Sequence, residues 1–119
     1  SDVYKRQVSA IARADIDLVD IILALFPGGS ITGAPKIAAM QWIERVEGLQ
    51  RGYYCGSLGV VDAEGHADFS ILIRTCVQVA DRLYYQSGGG IVADSDPSAE
   101  WTETEVKAQA LLDALRPSR

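Results

Sequence analysis

Three charged side chains near the end of the sequence have the types and spacing of a small ion-binding site. Glu100, Glu103 and Lys107 follow one another at intervals of three and four residues, which places them on one face of a helix. Carboxylate oxygens are the ligands that Mg²⁺ prefers, and the ion often keeps a substrate anion that a lysine one turn away could hold. The simpler alternative, which spacing alone favours, is a solvated helix face with an ion pair between Glu103 and Lys107.

A run of three glycines interrupts a stretch that otherwise has the composition of a strand. Gly88-Gly89-Gly90 weakens any strand that contains it, so a physical requirement for glycine is expected there. One reason is the close approach of a ligand anion to bare backbone N–H groups. The other reason is a bulge or sharp bend in the sheet, and the two stay open.

Two side chains of the predicted strands are candidates for anion binding. Arg74 is expected in the middle of a strand on its more polar face, and guanidinium groups bind carboxylates through paired hydrogen bonds. Its simpler alternative is a surface or edge position. Tyr54 is expected to pack, and its hydroxyl gains a role only beside an anion site.

The glycine-rich segment 28–35, GGSITGAP, resembles a phosphate-binding loop but lacks the GxxxxGK[ST] spacing, which excludes a P-loop. Ser30 in this segment is either a ligand hydroxyl or a turn residue. His66 is the only histidine in the sequence; it follows a turn glycine and is expected at the surface.

The elements that must position these residues follow in the order β-α-α-β-β-β-α. We expect strands over 8–13, 53–61, 67–79 and 83–87 (the last continuing to 93), and helices over 16–26, 35–47 and 98–115. Asp15 or Asp17 is predicted to cap the first helix, and Ser98 the last. Strands joined by short turns imply an antiparallel sheet with helices packed on one side, an α+β fold.

Composition bounds the class of protein. The 119 residues suffice for about one domain, and 48% hydrophobic with 23% charged residues is typical of a folded chain. A net charge of −5 speaks against a nucleic-acid partner, and no apolar run is long enough for a membrane span. Cys55 and Cys76 form no disulfide framework or zinc spacing, so buried thiols and a cytoplasmic location are expected. Residues 1–7 are interpreted as a non-native or disordered leader to a domain over 8–116.

Four sequence blocks, taken in order, resemble a known family. FPGGSITGAPK (26–36), RGYYCGSLG (51–59), ILIRT (71–75) and GGGIVADSDPSAEWTETEVKA (88–108) are similar to the C-terminal part of the chorismate-utilising enzymes. That family includes component I of anthranilate synthase and component I of aminodeoxychorismate synthase. The resemblance covers about residues 8–115 and implies the C-terminal portion of the chorismate-binding synthase fold. Because the family's catalytic region begins further upstream, the chain is interpreted as a fragment.

The resemblance also implies roles for individual residues. It matches Glu100 and Glu103 to a magnesium-binding pair, and Tyr54 and Arg74 to residues that bind the enolpyruvyl carboxylate. It matches Ser30 to a position near the substrate. The residues that it matches to contacts with substrate carboxylates are Lys107, Gly88, Gly89 and Gly90. The physical chemistry agrees, because chorismate carries two carboxylates that cations must neutralise. Catalytic residues are expected upstream of this chain.

The implied activity is magnesium-dependent amination of chorismate. FPGGSITGAPK and YCGS are most similar to component I of aminodeoxychorismate synthase, which implies 4-amino-4-deoxychorismate as product, for 4-aminobenzoate and folate synthesis. A glutamine amidotransferase subunit would supply the ammonia. The alternatives are component I of anthranilate synthase, in tryptophan synthesis, and a non-catalytic α+β binding domain. The isolated fragment is expected to be inactive.

Overall fold

The computed structural model of the chain describes residues 8–116, which form four helices and four strands. They are α1 (Leu18–Leu25), α2 (Gly29–Thr32), α3 (Lys36–Glu47), β1 (Ser57–Val61), β2 (Ala67–Ile71), β3 (Cys76–Val79), β4 (Arg82–Tyr85) and α4 (Pro97–Ala114). The predicted α+β class is confirmed, and all strand pairs are antiparallel. The prediction of a leader over residues 1–7 lies outside the described residues.

The first helices begin and end where local chemistry dictates. Asp17 caps α1, because its carboxylate accepts a hydrogen bond from the backbone N–H of Asp20 at 2.9 Å, and the carboxylate of Asp20 accepts one from the backbone N–H of Asp17 at 3.1 Å. Lys36, the first residue of α3, donates from Nζ to the carbonyl of Ala24 at 3.1 Å, near the end of α1. Gly48 ends α3 with a φ of 62°, a left-handed conformation that glycine adopts without strain.

The strands form two separate hairpins, which corrects the expectation of one sheet. β1 pairs with β2 from Ser57 opposite Ile71 to Val61 opposite Ala67, and β3 pairs with β4 in a second two-stranded sheet. The predicted strand over 67–79 is broken at 72–75 because Arg74 has a φ of 53°, which a strand does not accommodate.

The backbone of the broken stretch pairs with an earlier turn of the chain. Leu72 accepts a hydrogen bond from the N–H of Cys55 and donates one to the carbonyl of Gly56, both at 3.0 Å. The residues before Gly56 form this turn, so the predicted strand over 53–61 is shortened to β1.

One further predicted strand, and the predicted continuation of another, are absent from the described residues. The stretch 8–13 has no strand partner, and Val8 and Ile11 are 93% and 99% exposed. The stretch 91–93 follows the three glycines and joins no ladder, since ordering consecutive glycines in a strand costs conformational entropy. α4 is capped by Asp96, whose carboxylate accepts from the N–H of Ala99 at 2.9 Å, and the predicted cap Ser98 lies inside the helix.

No side chain among residues 8–116 is buried. The radius of gyration is 17.4 Å, against about 13.5 Å for a compact domain of this length. Contacts between helices and hairpins depend on a few side chains, such as Phe26 against Phe69 with ring centroids 6.2 Å apart. Cys55 is half-buried and Cys76 is exposed, so the prediction of buried thiols is wrong.

Within residues 8–116, no single helix is long and apolar enough to cross a membrane. The segments Leu18–Thr32 and Lys36–Glu47 meet at a bend of 59° and reach that length and apolar composition only when the two are counted together.

Candidate functional site

The segment 88–90, called the glycine segment below, is tied to α4 by side-chain hydrogen bonds. Lys107 on α4 donates from Nζ to the carbonyl of Gly88 at 3.2 Å. Just before the segment, the hydroxyl of Ser87 donates to the carbonyl of Thr104 at 2.9 Å, and that of Tyr85 donates to the carbonyl of Lys107 at 3.3 Å. These bonds fix the backbone of the segment against one side of the helix.

Side chains of this chain closely approach two of the three glycines. A Cβ at position 88 would lie 2.9 Å from the hydroxyl oxygen of Tyr54, and one at position 89 would lie 2.9 Å from Oε2 of Glu100. Real Cβ atoms essentially never approach so closely. The glycines therefore admit side chains of this same chain, a third reason beside the bend and the ligand that the sequence suggested.

The three charged residues of α4 lie around the glycine segment. Oε1 of Glu103 forms an ion pair with Nζ of Lys107 at 2.6 Å, the contact that the simpler sequence alternative predicted. Glu100 is half-buried, and its Oε1 accepts a hydrogen bond from the hydroxyl of Ser95 at 2.5 Å. Glu100, Glu103, Lys107 and the glycine segment are called the α4 site below.

The donor set of the α4 site fits a hard divalent cation. Glu100 and Glu103 lie one helical turn apart, where Cβ atoms are separated by about 5–6 Å. Among the described residues, Oε2 of Glu100 accepts no hydrogen bond, and it lies on the side of the glycine segment. Two carboxylates suit Mg²⁺, which is commonly bound by one or two protein carboxylates together with water and substrate oxygens.

Tyr54 reaches the glycine segment from the turn before β1. The guanidinium carbon of Arg51 lies 5.6 Å from the centre of its ring, and Arg51 forms two bonds with the carboxylate of Glu47, one of them at 2.8 Å. This hydrogen bonding lowers the pKa of Glu47, while partial burial and the neighbouring Cys55 raise the pKa of Tyr54. Tyr54 is therefore a neutral hydroxyl at neutral pH. Sequence reasoning missed Glu47 and Arg51, although their spacing of four residues is a signal for an ion pair.

Arg74 and Ser30 are not in contact with the α4 site. Arg74 is exposed in the bend between β2 and β3, so its predicted position in the middle of a strand is wrong. Within residues 8–116 its side chain forms no hydrogen bond or ion pair. Ser30 is exposed in α2, a single helical turn where the sequence predicted a loop. Their roles toward a substrate stay predictions.

Comparison with known proteins decides the family. The sequence profile of the chorismate binding enzymes matches residues 4–113, most of the chain. This chain belongs to the chorismate binding enzyme family. The C-terminal resemblance of the four sequence blocks is thereby confirmed at the level of the family, and the described residues are a chorismate-binding fragment of α+β class.

Curated relatives of this chain carry two kinds of name. It is 47% identical over 106 residues to anthranilate synthase component 1 of Acinetobacter calcoaceticus, covering 89% of this chain and 21% of the relative. It is 50% identical over 98 residues to anthranilate synthase component 1 of Neisseria meningitidis serogroup B, covering 82% and 20%. It is 50% identical over 99 residues to 2-amino-4-deoxychorismate synthase of Streptomyces globisporus, covering 83% and 20%. The chain spans about a fifth of the length of these relatives.

The described residues include a second acidic cluster, at the turn between β1 and β2. Asp62, Glu64 and His66, called the hairpin tip below, offer ligand atoms within 4.8 Å of one another. All three are exposed, as predicted for His66, and Asp62 accepts hydrogen bonds from both the backbone N–H and the ring of His66 at 2.8 Å. These bonds hold the pKa of Asp62 below its ordinary value of 3.8.

Two open grooves lie on either side of the turn that holds Tyr54. One has a volume of ≈ 550 Å³ beside the end of α3, the other ≈ 330 Å³ beside β3 and β4, and Arg51 and Tyr54 line both. Neither groove is lined by a residue of the α4 site. Because no described side chain is buried, these largely apolar grooves are uncovered surface. The α4 site, where several polar groups lie together, is therefore the better candidate for a functional site.

Proposed function

We propose that this chain forms part of a longer enzyme that aminates chorismate with the help of Mg²⁺. The observation that carries the proposal is the convergence of Glu100, Glu103 and Lys107 on the glycine segment. These are the residues that the resemblance matches to magnesium and to a substrate carboxylate. The family of the chain supplies the substrate class.

The α4 site can bind an anionic substrate such as chorismate only when a metal ion adds positive charge to it. Glu100 and Glu103 carry two negative charges, and Lys107 offsets one of them through its ion pair with Glu103. Glu100 and Glu103 would hold Mg²⁺. When bound, the ion supplies positive charge that stabilises anionic oxygens of the substrate. Lys107 and the N–H groups of the glycine segment would orient the carboxylate, and Tyr54 would add a neutral donor beside Gly88.

The position at which nitrogen enters chorismate separates two candidate products. Anthranilate carries its amino group next to the carboxylate, and the name 2-amino-4-deoxychorismate synthase also puts nitrogen at C2. We favour amination at C2 for this reason. The second candidate is amination at C4, giving 4-amino-4-deoxychorismate for folate synthesis, which the FPGGSITGAPK and YCGS segments favour.

The nitrogen source and location are also part of the proposal. The designation component 1 in the names of the relatives supports a second subunit, for which we propose a glutamine amidotransferase that supplies ammonia. The two free cysteines support a reducing, cytoplasmic setting.

The test is product analysis with the full-length enzyme that carries this chain. It is incubated with chorismate, Mg²⁺ and ammonium, and products are separated by chromatography and identified by mass and by reference compounds. Anthranilate or 2-amino-4-deoxychorismate is expected, whereas 4-amino-4-deoxychorismate would establish the second candidate. Unchanged chorismate would contradict the proposal.

The isolated chain provides the complementary measurement. The 119 residues alone are expected to give no turnover of chorismate, because catalytic residues are expected upstream and the described part has no buried core. Turnover by the isolated chain would show that the chain carries a complete active site. A non-catalytic binding domain would instead leave the full-length protein without magnesium-dependent activity.

A further inference from the structure

Ser95 lies in the loop between the glycine segment and α4 and is fixed there by two bonds to one residue. Its backbone N–H donates to the carbonyl of Val92 at 3.0 Å, and its hydroxyl oxygen accepts from the N–H of Val92 at 3.1 Å. The side chain is half-buried. The position of the hydroxyl is therefore set by the loop backbone.

The proton of this hydroxyl is directed at Glu100. Ser95 Oγ donates to Oε1 of Glu100 at 2.5 Å, a short bond of the kind that hydroxyls form with ionised carboxylates. The other oxygen, Oε2, lies beside Gly89, so close that a Cβ there would be 2.9 Å away. One oxygen of the carboxylate is thus held by the loop, and the other is turned to the glycine segment.

We propose that Ser95 is a positioning residue that selects Oε2 of Glu100 as the oxygen presented to Mg²⁺, an inference that rests on the proposed function. Mg²⁺ demands near-ideal octahedral geometry, so a ligand oxygen that is already oriented binds it with less loss of rotational freedom. Groups that hydrogen-bond to a ligating carboxylate typically change metal affinity by 10–100-fold when removed. Without the Ser95 hydroxyl, the carboxylate can rotate and Oε1 must bond to water.

The test measures metal binding directly in the full-length enzyme. Mg²⁺ alone is titrated by calorimetry, and Mn²⁺ by electron paramagnetic resonance, in the absence of chorismate. We expect Ser95→Ala to raise the Kd for both ions on the order of 10–100-fold. Ser95→Thr, which keeps the hydroxyl, is expected to stay within about threefold of the unsubstituted enzyme, since the donor to Glu100 is retained. Ser98→Ala is the matched control, because its hydroxyl donates to Asp96 near the same end of α4 without touching Glu100.

The outcomes separate this inference from the proposed function. Equal Kd values for Ser95→Ala and the unsubstituted enzyme would overturn the inference and leave chorismate amination untouched. Absence of Mg²⁺ and Mn²⁺ binding by the unsubstituted enzyme, or a Kd unaffected by Glu100→Gln, would overturn the inference as well. Metal binding that follows the expected series, in an enzyme that leaves chorismate unchanged, would support the role of Ser95 and contradict the proposed reaction. If Ser95→Ala fails to fold, Ser95→Cys, a weaker donor of similar size, must give an intermediate Kd.

Discussion

The hairpin tip and the α4 site both gather acidic side chains, but their surroundings differ. At the hairpin tip three ligand groups lie within 4.8 Å of one another, all of them exposed, and Asp62 is already bonded to His66. At the α4 site Glu100 is half-buried, and one of its oxygens is held by Ser95 while the other faces Gly89. By proximity alone the hairpin tip would be the better metal site.

The difference lies in what restrains each carboxylate. At the hairpin tip Asp62 is bonded to the backbone and the ring of His66, and all three groups are exposed, so an ion bound by Asp62 and His66 would have to replace the bond between them. At the α4 site Ser95 holds Oε1 of Glu100 and leaves Oε2 beside Gly89, while Glu103 is restrained by its ion pair with Lys107. Preorganised donors, more than the number of nearby carboxylates, distinguish a site built for a ligand from an exposed acidic turn.

The largest difference between the two clusters is expected in kcat/KM when one carboxylate is removed from each. In the full-length enzyme, Glu100→Gln is expected to lower kcat/KM at least ~100-fold, about 2.7 kcal/mol of transition-state stabilisation. Glu64→Gln at the hairpin tip removes the same charge and should leave kcat/KM within about twofold, as expected for an exposed position away from the site. Steady-state kinetics at saturating Mg²⁺ measures both, and equal losses would show that the clusters are not distinct.

Glycine substitutions should separate site geometry from fold stability. Gly89→Ala places a Cβ against Oε2 of Glu100, so we expect a roughly tenfold weaker Mg²⁺ affinity, within the range seen when the support of a metal ligand is disturbed. Gly59→Ala in β1 places a Cβ against the carbonyl oxygen of Asp68 and the ring of Phe69, which should reduce the free energy of unfolding by about 1–3 kcal/mol. Metal titration and urea unfolding are measured on both variants. If Gly59→Ala lost metal affinity under conditions in which it is fully folded, metal binding and fold stability would not be separable in this way.

Loss of the lysine charge should have a smaller effect on the α4 site. Lys107→Met removes both the ion pair with Glu103 and the bond to Gly88, and the KM for chorismate is expected to rise about fivefold, in line with the roughly 1 kcal/mol of an ordinary hydrogen bond. Arg116→Met removes a matched ion pair, with Asp113, near the end of the same helix, and should leave KM unchanged. A similar rise in both variants would indicate a general effect on α4.

The smallest effect is expected at the hairpin tip as the pH falls. Because the pKa of Asp62 is lower in the folded chain than its ordinary 3.8, its stabilisation is present above pH 3.8 and is lost as the pH falls through the folded value. His66→Ala should raise the pKa of Asp62 toward 3.8. Carboxyl ¹³C resonances followed through an acid titration measure the shift, and Asp96, whose low pKa comes from Ser98 and Ala99, serves as the unchanged control.

Features set by local chemistry could be predicted from the sequence. The cap at Asp17, the end of α3 at Gly48, and the shared face of Glu100, Glu103 and Lys107 depend on neighbours within a few residues. Such interactions are encoded in spacing. A close approach to the glycine segment could also be predicted, although the approaching groups could not.

Features set by distant contacts could not be predicted. Alternation of side chains over 67–79 indicates one strand, yet the bonds of Leu72 to Cys55 and Gly56 and the left-handed Arg74 divide it. The bond between Ser95 and Glu100 has no periodic signal, because a loop and a helix end meet there. The placement of Tyr54 beside Gly88 joins residues far apart in the chain, and spacing carries no information about it.

The absence of buried side chains in residues 8–116 has a thermodynamic consequence. The heat-capacity change and the denaturant m-value of unfolding both scale with the surface newly exposed. For the isolated chain this surface is small, since Trp42 and Trp101 are already 62% and 67% exposed. Its melting curve should therefore be broad and shallow, and calorimetry should record little of the cooperative enthalpy that a packed domain of equal length absorbs.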